Sequence, residues 1–287
     1  MKTFFFVLLS LTFSLPVVAQ TIDPRKTGNV PIAFYGKVID QSNQPVVGVK
    51  VDGYVVTGYL KNPQEIGQKV DYVSLTSDSE GTFTLENTNG MSIQISSIEK
   101  EGYKLSPKQV KTSYLYNPSE FHPDINNPIV FKMWKKGGQN VLVSSAWEGK
   151  ILCDGTRTDF DLSNGKKTKD GNLQILCTLT PTDLKWGNHN LADYKFEIAV
   201  LGGGIQRTTD EFTYLAPDNG YLPSVTIEEK AADPNHRNPE MEQEFYIKTA
   251  DGHFGRLSID WSAWQIPPTH FEWDSTINPS GSRNLER

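Results

Sequence analysis

The residues best placed by type to do chemistry are the acids of the C-terminal half: Asp210, Glu211, Glu228, Glu229, Glu240, Glu242 and Glu244. Two carboxyl groups held about 5 to 10 Å apart across a cleft would hydrolyse a glycosidic bond, one as acid and one as base or nucleophile. Order along the chain cannot bring two of them together, and solvated strand rims are the plainer reading. A second pattern is a partial calcium loop. Asp159, Asp161 and Ser163 stand at alternate positions, and Asp170 falls where an EF-hand has its last ligand. The glycine, Gly165, comes one place late, and Lys166, Lys167 and Lys169 crowd the would-be cation. A tight Asn164-Gly165 turn explains the same residues equally well. No Gly-x-Ser-x-Gly elbow is present, and Gly202-Gly203-Gly204 lacks the Gly-Lys-Ser/Thr and helix that phosphate binding requires. The expectation is therefore no cofactor, with calcium as the one exception the spacing leaves open.

Aromatic residues give a binding alternative. Trp261, Trp264, Phe271 and Trp273 cluster with Pro267 and Pro268. Exposed on a β-domain, Trp261, Trp264 and Trp273 would present flat apolar faces and N–H edges to sugar rings. Buried, they would pack a core, as large aromatics usually do. The same two readings apply to Tyr114, Tyr116 and Phe121. The two cysteines, Cys153 and Cys177, are either a disulfide, closing a loop worth about 3 kcal/mol, or two buried thiols on neighbouring strands.

Around these candidates the chain reads as an exported protein. Lys2, the apolar run Phe4 to Phe13, Pro16 and Val17-Val18-Ala19 form the pattern of a cleavable secretory leader, residues 1–19. The run is too short to span a bilayer, which takes about 20 apolar residues, and nothing later approaches a membrane span. Secretion into periplasm or medium is the expected destination, and an oxidising compartment suits a disulfide. A net charge of −6 and a pI near 5.4 argue against a nucleic-acid partner.

The patterning is β throughout. Residues 20–30 form a polar lead-in. From Pro31, short alternating runs separated by turn residues recur, at Ile32 to Val38, Val46 to Val56, Val70 to Leu75, Thr82 to Leu85 and Met91 to Ile98. Residues 108–140 read as an ordered linker that contains a strand at Ile129 to Trp134. Residues 141–280 resume strands at Leu173 to Leu179, Tyr194 to Leu201, Ser224 to Glu228, Glu244 to Lys248 and Phe254 to Trp261. Asn188 to Asp193 and Asp233 to Pro239 read as loops, and residues 281–287 as a tail. No apolar helical period of twelve residues or more occurs, so an all-β chain is expected: a sandwich first, then a second sandwich or jelly roll.

Within residues 31–107 the sequence resembles the carboxypeptidase regulatory-like domain. The resemblance rests on Tyr35-Gly-Lys-Val-Ile-Asp40 with Gln44-Pro-Val-Val-Gly-Val-Lys-Val51, on Thr76-Ser-Asp-Ser-Glu-Gly-Thr-Phe83, and on Glu99-Lys-Glu-Gly-Tyr103. It implies a prealbumin-like, Ig-type sandwich that serves as a non-catalytic module in secreted bacterial proteins. Against that pattern Thr57 to Asp71 is an insertion, expected to form a loop. The function expected from all of this is a secreted, non-catalytic protein that binds a glycan or an extracellular protein through residues 141–280. The competing expectations are an extracytoplasmic polysaccharide-active enzyme and a structural cell-surface component.

Overall fold

The computed structural model describes residues 28–62, 65–109, 111–116, 121–186, 189–233, 240–263 and 268–286. The expected leader and most of the expected lead-in lie outside them, as does most of the expected loop at Asp233 to Pro239. The described chain is all-β. Its first strands are β1 (Val30–Asp40), β2 (Lys50–Asn62), β3 (Glu65–Thr76), β4 (Thr82–Gly90), β5 (Ser92–Glu99), β6 (Tyr103–Leu105), β7 (Ser113–Leu115) and β8 (Ile129–Lys135). They form two antiparallel sheets, ordered β4-β1-β8-β6 and β3-β2-β5-β7. Ten strands follow: β9 (Val143–Ile151), β10 (Asp154–Asp161), β11 (Lys166–Lys167), β12 (Leu173–Trp186), β13 (His189–Val200), β14 (Gly204–Thr208), β15 (Ser224–Glu229), β16 (Glu240–Lys248), β17 (Phe254–Ser262) and β18 (Thr269–Asn278). These build sheets ordered β11-β10-β12-β13-β15 and β14-β16-β17-β18-β9.

The chain divides into two compact units. One takes the stretch ending at Lys37 with Val47–Ile98 and Lys111–Val130; the other takes Val38–Val46, Glu99–Val110 and Phe131–Arg287.

In the first unit, alternation along β1 turns Ile32 and Phe34 inward with almost no exposure. Phe34 meets Tyr114 of β7 at 4.9 Å between ring centroids, and Tyr114 meets Phe121 at 5.0 Å. Tyr114 of the expected linker is thus core here, with Phe121 half-buried against it. Gly36 is glycine for space, since a Cβ there would lie 2.1 Å from the Phe83 ring. Thr57 to Asp71 is not a loop. Its described residues extend β2 and β3 into one long hairpin, in register from Lys50 opposite Thr76 to Leu60 opposite Ile66, with a shift of register before Asn62 pairs with Glu65. The β-branched and aromatic residues Val55, Val56, Thr57, Tyr59 and Val70 favour that extended form.

The second unit has a two-layer core. Phe160, Phe196 and Ile198 on one sheet pack with Phe245, Ile259, Trp261, Phe271 and Trp273 on the other, all at 0% exposure. At about 25 cal/mol per Å², an indole burying about 250 Å² contributes roughly 6 kcal/mol before its ordering entropy is subtracted. Cys153 and Cys177 are bridged inside this core, with Cα atoms 4.5 Å apart. Two stretches depart from the sequence reading. Residues 189–193, expected as loop, open β13, and the Pro-rich C-terminal aromatics continue into the strand β18. In both cases pairing with a neighbouring strand supplies what local propensity does not: Asp193 lies opposite Thr180, and Phe271 lies between Trp261 and Gly149.

Candidate functional site

The sequence of β16, Glu240-Met-Glu-Gln-Glu-Phe245, alternates acid with core residue. So does β18, where Phe271 and Trp273 are buried and Glu272 and Asp274 are exposed. Period-two alternation sends all these acids to the outer face of one sheet. Register then aligns them. Glu242 lies opposite Asp260, Asp260 opposite Glu272, and Glu272 opposite Glu148. Four exposed carboxylates thus form one transverse row, at strand spacings of about 4.8 Å. In the next row Glu244 faces Ser258 and Ser258 faces Asp274, and beyond it Tyr246 faces Arg256. Like charges placed directly opposite cost roughly 0.2 to 1 kcal/mol per pair. The row is therefore held by the packing beneath it and not by its own charges.

This face is hollowed. A pocket of about 300 Å³ is lined by Lys104, Pro107, Thr213, Tyr214, Glu244, Arg256, Leu257, Ser258 and Asp274. A shallower depression of about 160 Å³, lined by Glu242, Ser258, Asp260, Glu272, Trp273 and Asp274, shares Ser258 and Asp274 with it. Two cations are fixed at the pocket by the same ring: Lys104 Nζ sits 5.1 Å and Arg256 Cζ 5.8 Å from the centroid of the buried Tyr214. Lys108 Nζ approaches Glu244 at 3.6 Å and donates to the Asp210 carbonyl. Behind Glu244, the Tyr246 hydroxyl donates to Asp210 Oδ2 at 2.9 Å. Burial pushes that phenol well above its ordinary value, with the Asp210 contact adding to the effect. Nearby, Ser106 donates to Glu211, and this bond, reinforced by Lys132 at 3.4 Å, holds the Glu211 carboxyl below its usual range. The pocket thus offers carboxylates, cations and hydroxyls around one depression.

The residues singled out from sequence fall elsewhere. Trp261 and Trp273 are fully buried, and the Trp261 indole N–H donates to Thr269 Oγ1 at 2.9 Å inside the core. Neither has a face to offer a sugar, because each alternates with acids that take the outer side. Trp264 lies outside the described residues. The calcium-loop acids do not converge. Asp159 is buried at 6% exposure and gripped by Arg157, Nε to Oδ1 at 2.8 Å and Nη2 to Oδ2 at 2.9 Å. Arg157 also reaches Asp170 at 3.6 Å, so its guanidinium stands between these two carboxylates. The Asp161 carboxylate closes a turn instead. It accepts from the Ser163 hydroxyl at 2.6 Å, the Ser163 backbone N–H at 2.8 Å and Asn164 Nδ2 at 2.7 Å. These bonds, the hydroxyl's first, hold its pKa down. Among the described residues no three His, Cys, Asp or Glu side chains cluster as a metal site would. Of the acids weighed as a hydrolytic pair, Glu242 and Glu244 reach the hollowed face, whereas Asp260, Glu272, Asp274 and Arg256 were not singled out. Their alternation with buried residues was a readable signal; their mutual register was not.

Comparison with protein-family models, with curated proteins and with solved structures finds no match to this chain.

Proposed function

We propose that the protein is a secreted, non-catalytic binding protein that takes a glycan on the outer face of the β14-β16-β17-β18-β9 sheet, with a carboxypeptidase regulatory-like module ahead of it. The observation that carries this reading is the pocket bounded by Glu244, Arg256, Ser258, Asp274 and Thr213. Sugar hydroxyls both donate and accept, and this lining supplies carboxylate acceptors, cationic donors and hydroxyls within one ligand-sized depression. The neighbouring carboxylate row adds selectivity. It repels polyanions, so neutral sugars and amino sugars are favoured over uronate-rich or sulfated chains.

The test is calorimetric titration of the full chain with neutral, amino-sugar and anionic oligosaccharides. The variants Asp274→Asn and Arg256→Ala should each weaken binding of a neutral or amino-sugar ligand about tenfold, the worth of one lost charge-assisted hydrogen bond. Preference for anionic chains, or affinity unmoved by both substitutions, would reject the site. Release of new reducing ends during the titration would replace the binding reading with an enzymatic one.

A further inference from the structure

The hairpin that the sequence reading treated as an insertion leaves one strand unusually bare. β3 is twelve residues long, ends its sheet, and buries only Gly67. Ile66, Val70 and Tyr72 are 51%, 45% and 83% exposed, large apolar surface for a strand edge. Among the described residues no strand pairs with its outer side.

Which backbone groups face that open side follows from β2. Gly58 accepts from and donates to the Asn29 side chain, and the Val56 carbonyl accepts from the Met91 N–H, all directed away from β3. Their opposite numbers, Gln68 and Val70, therefore turn their own N–H and C=O groups outward. By period two, Ile66, Tyr72 and Ser74 do the same. A long edge with exposed apolar side chains and an unmatched hydrogen-bonding row is a template for another strand.

We propose that the occupant is β3 of a second copy of this chain, paired antiparallel about a twofold axis at Val70. The argument is charge complementarity. In that register Val70 meets its own counterpart, Gln68 meets Tyr72 and Ile66 meets Ser74 through outward-facing backbone groups. Lys69 then falls opposite Asp71 of the second copy, twice by symmetry, at the close non-hydrogen-bonded positions where side chains approach best. Within one chain these two residues already pair, Lys69 Nζ to Asp71 Oδ2 at 3.1 Å, both largely exposed. Moving the axis by one residue sets Lys69 against Lys69 or Asp71 against Asp71, so the charges disfavour both neighbouring registers.

Sedimentation of the full chain should show a concentration-dependent dimer. Lys69→Asp or Asp71→Lys alone sets like charges at both contacts and should raise the dissociation constant about tenfold or more. The double variant Lys69→Asp/Asp71→Lys should recover wild-type dimerisation. Register is checked by cysteine capture. Val70→Cys places two Cα atoms about 5.5 Å apart across the axis, inside the disulfide range, and should yield a covalent dimer on oxidation. Ser74→Cys, whose counterpart lies roughly 26 Å away along the paired strands, should not. The native cysteines are already bridged and give no background. A wild-type protein that stays monomeric at high concentration, or single and double charge variants that dimerise alike, would overturn the proposal. Equal cross-linking at 70 and 74 would overturn the register.

Discussion

Opening the Cys153–Cys177 bridge should destabilise the second unit by about 3.5 kcal/mol. The bridge spans 24 residues of sequence. Closing a loop of that length removes about 12 cal/mol/K of chain entropy from the unfolded state, which gives the figure at 25 °C. The native side changes little on reduction, since Cys153 and Cys177 lie where β10 and β12 already pair, with Asp154 opposite Thr178. The Leu179 N–H also donates to the Cys153 carbonyl at 2.9 Å. Reducing the native protein isolates the entropy term, whereas Cys153→Ala/Cys177→Ala adds the loss of buried sulfur volume and should fall lower still. Every tryptophan in the chain lies at position 134 or beyond, in the second unit, so indole fluorescence during denaturant unfolding reports that unit alone. The corresponding drop in its melting temperature is about 7 to 14 °C. A loss below about 1 kcal/mol on reduction would refute the loop-entropy argument. Two reactive thiols in the denatured, unreduced protein would refute the bridge itself.

Three further outcomes follow from particular residues. Gly165 has a φ of 71°, and a Cβ there would lie 2.2 Å from the Ala146 carbonyl oxygen, so Gly165→Ala should cost more than about 1 kcal/mol in denaturant unfolding. Glu272 stands between Asp260 and Glu148, so Glu272→Gln should stabilise the second unit by up to about 1 kcal/mol at low salt, a gain that shrinks near 1 M salt, where the screening length is about 3 Å. Burial raises the Tyr114 phenol from 10.0 to about 12. Because the folded value lies above the unfolded one, its contribution to stability is intact below pH 10 and is lost as pH rises through about 12. Tyr114→Phe should therefore lessen the loss of stability between about pH 9 and pH 11, measured by denaturation at each pH.

The hollowed face carries an internal cost that bears on its use. Three adjacent like-charge pairs, Glu242–Asp260, Asp260–Glu272 and Glu272–Glu148, oppose the sheet by about 0.6 to 3 kcal/mol together. Against roughly 6 kcal/mol from each buried indole beneath, the sheet tolerates them. What the row changes is the field above the sheet, which acts on any charged group that approaches it.

The all-β class was legible from residue order, because alternation needs only neighbours one and two places away. Ile32 and Phe34, Met241 and Phe245, and Phe271 and Trp273 each alternate with polar partners, and the strands follow. The same alternation, applied strictly, would have put Trp261 and Trp273 inside: an indole flanked by Asp260 or Glu272 has its acid neighbours outward and itself inward. Position along the chain did not reveal what crosses strands. The carboxylate row joins residues 148, 242, 260 and 272, and the pocket joins residues as distant as 104 and 274. Local sequence carries no term for such pairings, because register is chosen by the core the whole sheet buries. The calcium spacing shows the same limit. Asp159, Asp161 and Asp170 had the right intervals, but Arg157 and the Ser163–Asn164 turn claimed their oxygens once the chain folded. Which residues alternate was written in the sequence; which ones meet was decided by tertiary packing.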